Sequence, residues 1–159
     1  MGMVDGEERT TYSRTSTMAV FLQGKDEGGL YGSIVNGYLR EAVAFHGVGD
    51  LILKLDQICD WLGTPQRVAE PRMLNEKLQK QYLRQAEDYP TVSRDHAPAG
   101  MDMDSYFENL RAKEVVAVHI EYRQNASLQG RVRGRLTEEK FVAFRSALEL
   151  MQMFCMITL

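Results

Sequence analysis

Hydrophobic and polar positions along this chain change spacing several times, and the changes come twice in the same order. Residues 18–23 are an apolar, strand-like run, and the Gly/Asp-rich 24–29 follows as a turn. Residues 30–36 make a second run, so the first three segments predict a β-hairpin. A third, shorter strand is expected over 42–45. The spacing then becomes three and four, with Val48, Leu51, Ile52, Leu55, Ile58, Cys59 and Leu62 forming one stripe of an amphipathic helix. Gly47 serves as N-cap, with Asp50 three residues on at the positive end of the helix. Gly63 and Pro65 stop it.

About 98 residues later the series returns. Residues 115–122 and 128–134 read as paired strands and 141–144 as a third. A helix then opens at Ser146, whose hydroxyl with the Glu149 carboxylate makes a capping box for the first amides. Ala147, Leu150, Met151, Phe154 and Ile157 form its stripe. In register, Ala19, Val20 and Leu22 match Ala117, Val118 and Ile120. Leu30 and Gly32 match Leu128 and Gly130, Val43-Ala-Phe matches Val142-Ala-Phe, and Asp50-Leu51 matches Glu149-Leu150. Gly32 and Gly130 inside strands point to a bulge or a close backbone approach.

The expected fold class is therefore α+β: two pseudo-symmetric βββα units, each of antiparallel strands with one packing helix, joined by a helical linker. The units span 18–66 and 115–159. Residues 67–114 are the linker, with a polar helix over 71–88, a loop over 89–100 and a short helix over 104–111. Residues 1–17 are polar and without period, and are expected to form a disordered tail. Six strands allow one sheet or two layers. The second helix carries Leu148, Met153 and Met156 off its stripe, and a helix apolar beyond one face calls for a further partner.

Composition narrows the classes. The 159 residues are 44% hydrophobic and 26% charged, enough for a packed core without staples. A formal charge of −3 argues against wholesale coating of nucleic acid, though not against a local basic face. Cys59 and Cys155 both fall in apolar helical patterns and are expected as buried free thiols, which suits a cytoplasmic setting. No stretch approaches the ~20 apolar residues of a membrane span and no leader pattern opens the chain, so no membrane association is expected.

Candidate chemistry concentrates in the second hairpin. Arg123, Asn125 and Ser127 surround its tip, and Arg131, Arg133 and Arg135 alternate with Val132, Gly134 and Leu136. In a strand that alternation puts three guanidinium groups on one face, suited to phosphate or carboxylate. The blander reading is a solvated face whose arginines pair with Glu121, Glu138 and Glu139. Residues 125–130 also fit the Asn-x-Ser-x-x-Gly pattern of PilZ domains. The upstream Arg-x-x-x-Arg those domains need is missing, and the order of elements differs. His46, His96 and His119 are scattered, with a surface or capping role expected for His46. No Cys-x-x-Cys or His pair suggests zinc, and Asp102 and Asp104 are a weak metal signal. No nucleophile pairs with a base, so neither catalytic residues, metal nor cofactor are expected.

The segments 123–130 with 144–150, and 45–56 with Pro65-Gln66, resemble small uncharacterised proteins of gut Clostridia and related Firmicutes. The resemblance covers roughly 18–66 and 115–154. Many of those proteins have Trp where this chain has Leu128. It implies a bacterial origin and a paired-unit fold, and carries no activity. The expectation is a non-enzymatic binding or regulatory protein acting through protein–protein contacts, self-association among them. The alternative is an anion, nucleotide or nucleic-acid binder using the basic hairpin.

Overall fold

The computed structural model describes residues 16–85 and 103–159. Strands and helices follow in the order β1 (Thr17–Asp26), β2 (Gly29–Val35), β3 (Val43–His46), α1 (Val48–Leu62), α2 (Glu76–Gln85), α3 (Met103–Asn109), β4 (Glu114–Tyr122), β5 (Gln129–Gly134), β6 (Val142–Phe144) and α4 (Ala147–Cys155). All six strands join one antiparallel sheet in the order β3-β2-β1-β4-β5-β6, an α+β architecture. One sheet, not two layers, is the outcome. The β1–β4 ladder closes it, with Ala19 opposite Ala117 and Thr17 opposite His119.

Period-two alternation sorts the side chains between two faces. Val20, Leu22, Ile34, Val118, Ile120 and Val132 point to one face, where α1 and α4 lie side by side and contribute Leu51, Leu55, Ile58, Leu150 and Phe154. Burial of each such side chain contributes about 1.5–3 kcal/mol. On the other face Phe21, Ala19 and Val35 lie under Tyr106, Leu110 and Ala112. The β1 strand is therefore covered on both sides, which explains its unbroken apolar run.

The ladder begins one residue before the expected strand. Thr17 opens β1, and the Ser16 carbonyl accepts from Ile120 N–H at 3.2 Å, so these two residues belong to the sheet rather than to a tail. The rest of the expected tail and the loop over 89–100 lie outside the described residues. The expected polar helix is α2, which begins at Glu76 and has no buried residue; Leu74 precedes it and is exposed. Among the described residues, no helix is long and apolar enough to cross a membrane.

Both strand glycines mark close approaches beside β-bulges. A Cβ on Gly32 would sit 1.9 Å from the Phe21 carbonyl oxygen, and one on Gly130 would sit 1.9 Å from that of His119. The bulges fall between Leu22 and Gly24 in β1, and between Ile120 and Tyr122 in β4. At the helix starts, the Ser146 hydroxyl accepts from Glu149 N–H at 3.1 Å as the capping box requires. The Glu149 carboxylate, however, takes Arg145 N–H at 3.0 Å, one residue ahead of the cap, just as Asp50 takes His46 N–H.

The two thiols differ. Cys59 is buried, and burial pushes its pKa up to about 12. Cys155, expected inside, is exposed, because α4 turns that position away from the sheet. At pH 8 a thiol reagent should therefore modify Cys155 in the native protein and reach Cys59 only on unfolding; equal native rates would contradict this packing.

Candidate functional site

The basic hairpin does not gather its six polar residues into one site. Arg123, at the end of β4, is drawn inward and is 4% exposed. Its Nη1 donates to Asp60 at 2.6 Å and Asp56 at 3.2 Å, and its Nε donates to the Pro65 carbonyl at 2.8 Å. Arg67 completes the group, with Nη2 at 2.9 Å from Asp56 and 2.7 Å from Asp60. The result is a balanced cluster of two guanidinium and two carboxylate groups. It fastens the end of β4 to the outer side of α1 and to the segment after it. Tyr82 of α2 closes over Arg67, and its phenol is pushed above the usual range mainly by burial.

Asn125 and Ala126 form the hairpin tip, both in left-handed backbone conformation at φ 57° and 50°. Asn125 is exposed. Ser127 points the other way, its hydroxyl accepting Ala147 N–H at 2.8 Å at the start of α4. That bond satisfies an amide the helix leaves free, so it joins hairpin to helix.

Arg131 and Arg133 share a face of β5, as the alternation requires. Arg131 pairs with Glu121 at 2.5 Å, and Arg133 lies 3.8 Å from Glu139. Both guanidinium groups stack over the Phe141 ring, at 4.6 and 5.0 Å from its centre. Arg135 does not continue that face. The strand ends at Gly134, whose N–H donates to Thr137 Oγ1 at 3.0 Å, and residues 135–137 turn as a 3₁₀ helix. Arg135 instead pairs with the buried Glu114 at 2.6 Å. An open groove of about 730 Å³ beside these residues is lined by Lys113, Arg133 and Arg135, with Glu114 and Glu139 interleaved and Phe107 at its end.

Two histidines have polar partners. His46 Nε2 lies 2.7 Å from Asp26 Oδ1, a hydrogen bond that holds the exposed Asp26 carboxyl below its ordinary range. His119 Nδ1 lies 2.6 Å from Thr17 Oγ1, and burial lowers the His119 pKa. Among the described residues, no three His, Cys, Asp or Glu side chains gather in a way that could hold a metal ion.

The other distinctive surface is apolar. Beside the terminal strand β6, an apolar recess of about 210 Å³ is lined by Val132, Leu136, Val142, Met153, Phe154 and Ile157. Leu136 and Val142 are exposed here; Phe141 is exposed on the opposite face of the sheet, under Arg131 and Arg133, and Leu148 of α4 is 64% exposed.

No family model, no curated protein and no solved structure matches the chain.

Sequence reasoning named Arg123 but missed the partners that decide its role. Asp56 and Asp60 stand four residues apart on α1, off the apolar stripe, where one helix face can present two carboxylates to one cation. That spacing was the available signal.

Proposed function

We propose that the chain is a non-enzymatic binding or regulatory protein that acts through protein–protein contacts, on a scaffold made of two copies of one βββα unit. The margin formed by β6 and α4 carries the functional reading. It combines a terminal strand, large exposed apolar side chains and an apolar recess, a combination that marks contact surfaces. Several features support the two-copy reading. The central pairing falls about Ala19 and Ala117, the glycines 32 and 130 meet equivalent carbonyls, and Asp50 and Glu149 take equivalent amides. The proposed setting is a bacterial cytoplasm, a reading supported by the resemblance to clostridial proteins.

A chain with Phe141→Asp and Leu148→Asp should keep its fold, by circular dichroism, yet lose the self-association or partner retention expected of the native chain. Phe141 and Leu148 are exposed, so the fold does not depend on them. A native chain that neither self-associates nor retains any partner from its host would end the proposal.

A second reading, an anion or nucleotide binder, is favoured by the convergence of Lys113, Arg133 and Arg135 on one groove. Its mark is nucleotide or RNA binding that weakens with salt and is lost when Arg131 and Arg133 are both replaced by Ala. An unchanged melting temperature across a nucleotide panel would count against the small-nucleotide form of it.

A further inference from the structure

We infer that β6 pairs antiparallel with β6 of a second copy of this chain, joining two six-stranded sheets into one. The inference rests on the protein-contact reading above and names its partner.

The two margins of the sheet are treated differently. At β3, Lys54 of α1 donates from Nζ to the Ala44 carbonyl at 2.8 Å, held in place by Asp50 at 3.1 Å. A lysine on the backbone of a terminal strand obstructs the addition of another strand. The second unit repeats the surrounding geometry. Ser33 pairs with Ala44 in the first unit as Arg131 pairs with Ala143 in the second. Aligned on Asp50-Leu51 and Glu149-Leu150, however, Lys54 falls on Met153. No hydrogen bond from a described side chain reaches the Ala143 carbonyl. Met153 lines the apolar recess instead. The β6 strand, three residues long, contains no proline and keeps an unbroken register with β5.

Three observations point to a second copy rather than an unrelated strand. A twofold contact needs one patch that is complementary to itself. On its helix side this margin exposes Leu136 and Val142, both of which line the apolar recess, so a twofold contact would bring two like apolar rims together. Charge gives direction as well. Glu138, Glu139 and Lys140 precede β6, a net charge of one negative unit, and Arg145 follows it with its side chain 87% exposed. Antiparallel apposition sets each Arg145, which Glu149 holds at 3.0 Å from one side, against the acidic approach of the other strand. Parallel apposition would set like ends together. Finally, a twofold axis normal to the sheet keeps both α4 helices on one face, which is how α1 and α4 already lie about the β1–β4 ladder.

Sedimentation of the full chain across micromolar concentrations tests this. The expected species has twice the 18.1 kDa chain mass. Met153→Lys, which restores at α4 what Lys54 does at α1, should weaken the dimer about tenfold or more, the equivalent of ~1.4 kcal/mol. Phe141→Asp should do the same at an exposed site where folding is not at risk. Leu53→Lys, exposed on α1 away from this margin, should leave the dimer unchanged. A monomer at all concentrations overturns the inference, and so does a dimer indifferent to Met153→Lys and Phe141→Asp. A monomer that retains a host protein through the same margin overturns self-pairing while leaving the protein-contact reading intact. A monomer that retains nothing overturns both.

Discussion

Asp60→Ala is expected to destabilise the protein by about 3 kcal/mol, at the lower end of what breaking a buried ion pair costs. Asp60 is the carboxylate shared most closely by the cluster, at 2.6 Å from Arg123 and 2.7 Å from Arg67. Its removal leaves Arg123, almost without access to water, with Asp56 at 3.2 Å and the Pro65 carbonyl. A guanidinium in that position cannot shed its charge, so it must stay underpaired or draw water inward. The lower end applies because Asp60 is itself 23% exposed, and solvent screens part of the loss. Urea unfolding of the single variant measures the effect. Adding Arg123→Met should recover part of the stability, since a well-packed apolar pair replaces an orphaned charge. A change below about 1 kcal/mol for Asp60→Ala would mean the cluster is decoration on a fold held elsewhere.

The elements of this fold were legible because they depend on short-range spacing. The 3.6-residue stripe from Val48 to Leu62 and the alternation from Val116 to Ile120 each bury one face, and each stands where it was expected. Sheet order was not legible. Pairing β1 with β4 is decided by the fit of Met18 and Val20 against Val116 and Val118, residues about a hundred positions apart with no local mark. The basic hairpin was half legible. Alternation placed Arg131 and Arg133 together, but the stop at Gly134 turned Arg135 toward Glu114. The partners of Arg123 were not legible, because they come from α1 and the chain after it. Its neighbours in sequence, Tyr122 and Gln124, are exposed and say nothing of a buried charge.

Gly130→Ala is the second large effect, with an expected cost of about 3 kcal/mol. The obstacle is the His119 carbonyl of the paired strand, 1.9 Å from where the new carbon would sit, with the Phe144 ring at 3.0 Å behind it. Backbone cannot step aside as a flexible side chain can, so β4 and β5 must part at the bulge. For a chain of this size the melting temperature should fall by roughly 6–12 °C. Gly32→Ala, facing the Phe21 carbonyl at the same distance, should match it. Gly49→Ala should act in the opposite direction. It lies near the start of α1 with nothing within 4 Å of the added carbon, and loss of glycine freedom in the unfolded chain favours the helix by about 0.4–1 kcal/mol. Equal melting temperatures for Gly130→Ala and the native protein would mean the two strands stand further apart than described.

The central β1–β4 ladder also governs how the chain must come off the ribosome. Strands β1, β2 and β3 with α1 emerge first and can close locally, but one side of β1 stays without its hydrogen-bonding partner until Glu114 and the residues after it are made. At roughly 5–20 residues synthesised per second, that interval is on the order of 5–20 s. During it the nascent half presents the most apolar strand of the protein as a bare template, with Met18, Val20 and Leu22 on one side and Phe21 on the other. Crowded polysomes, where neighbouring nascent chains display the same template, are where this protein is most exposed to misassembly.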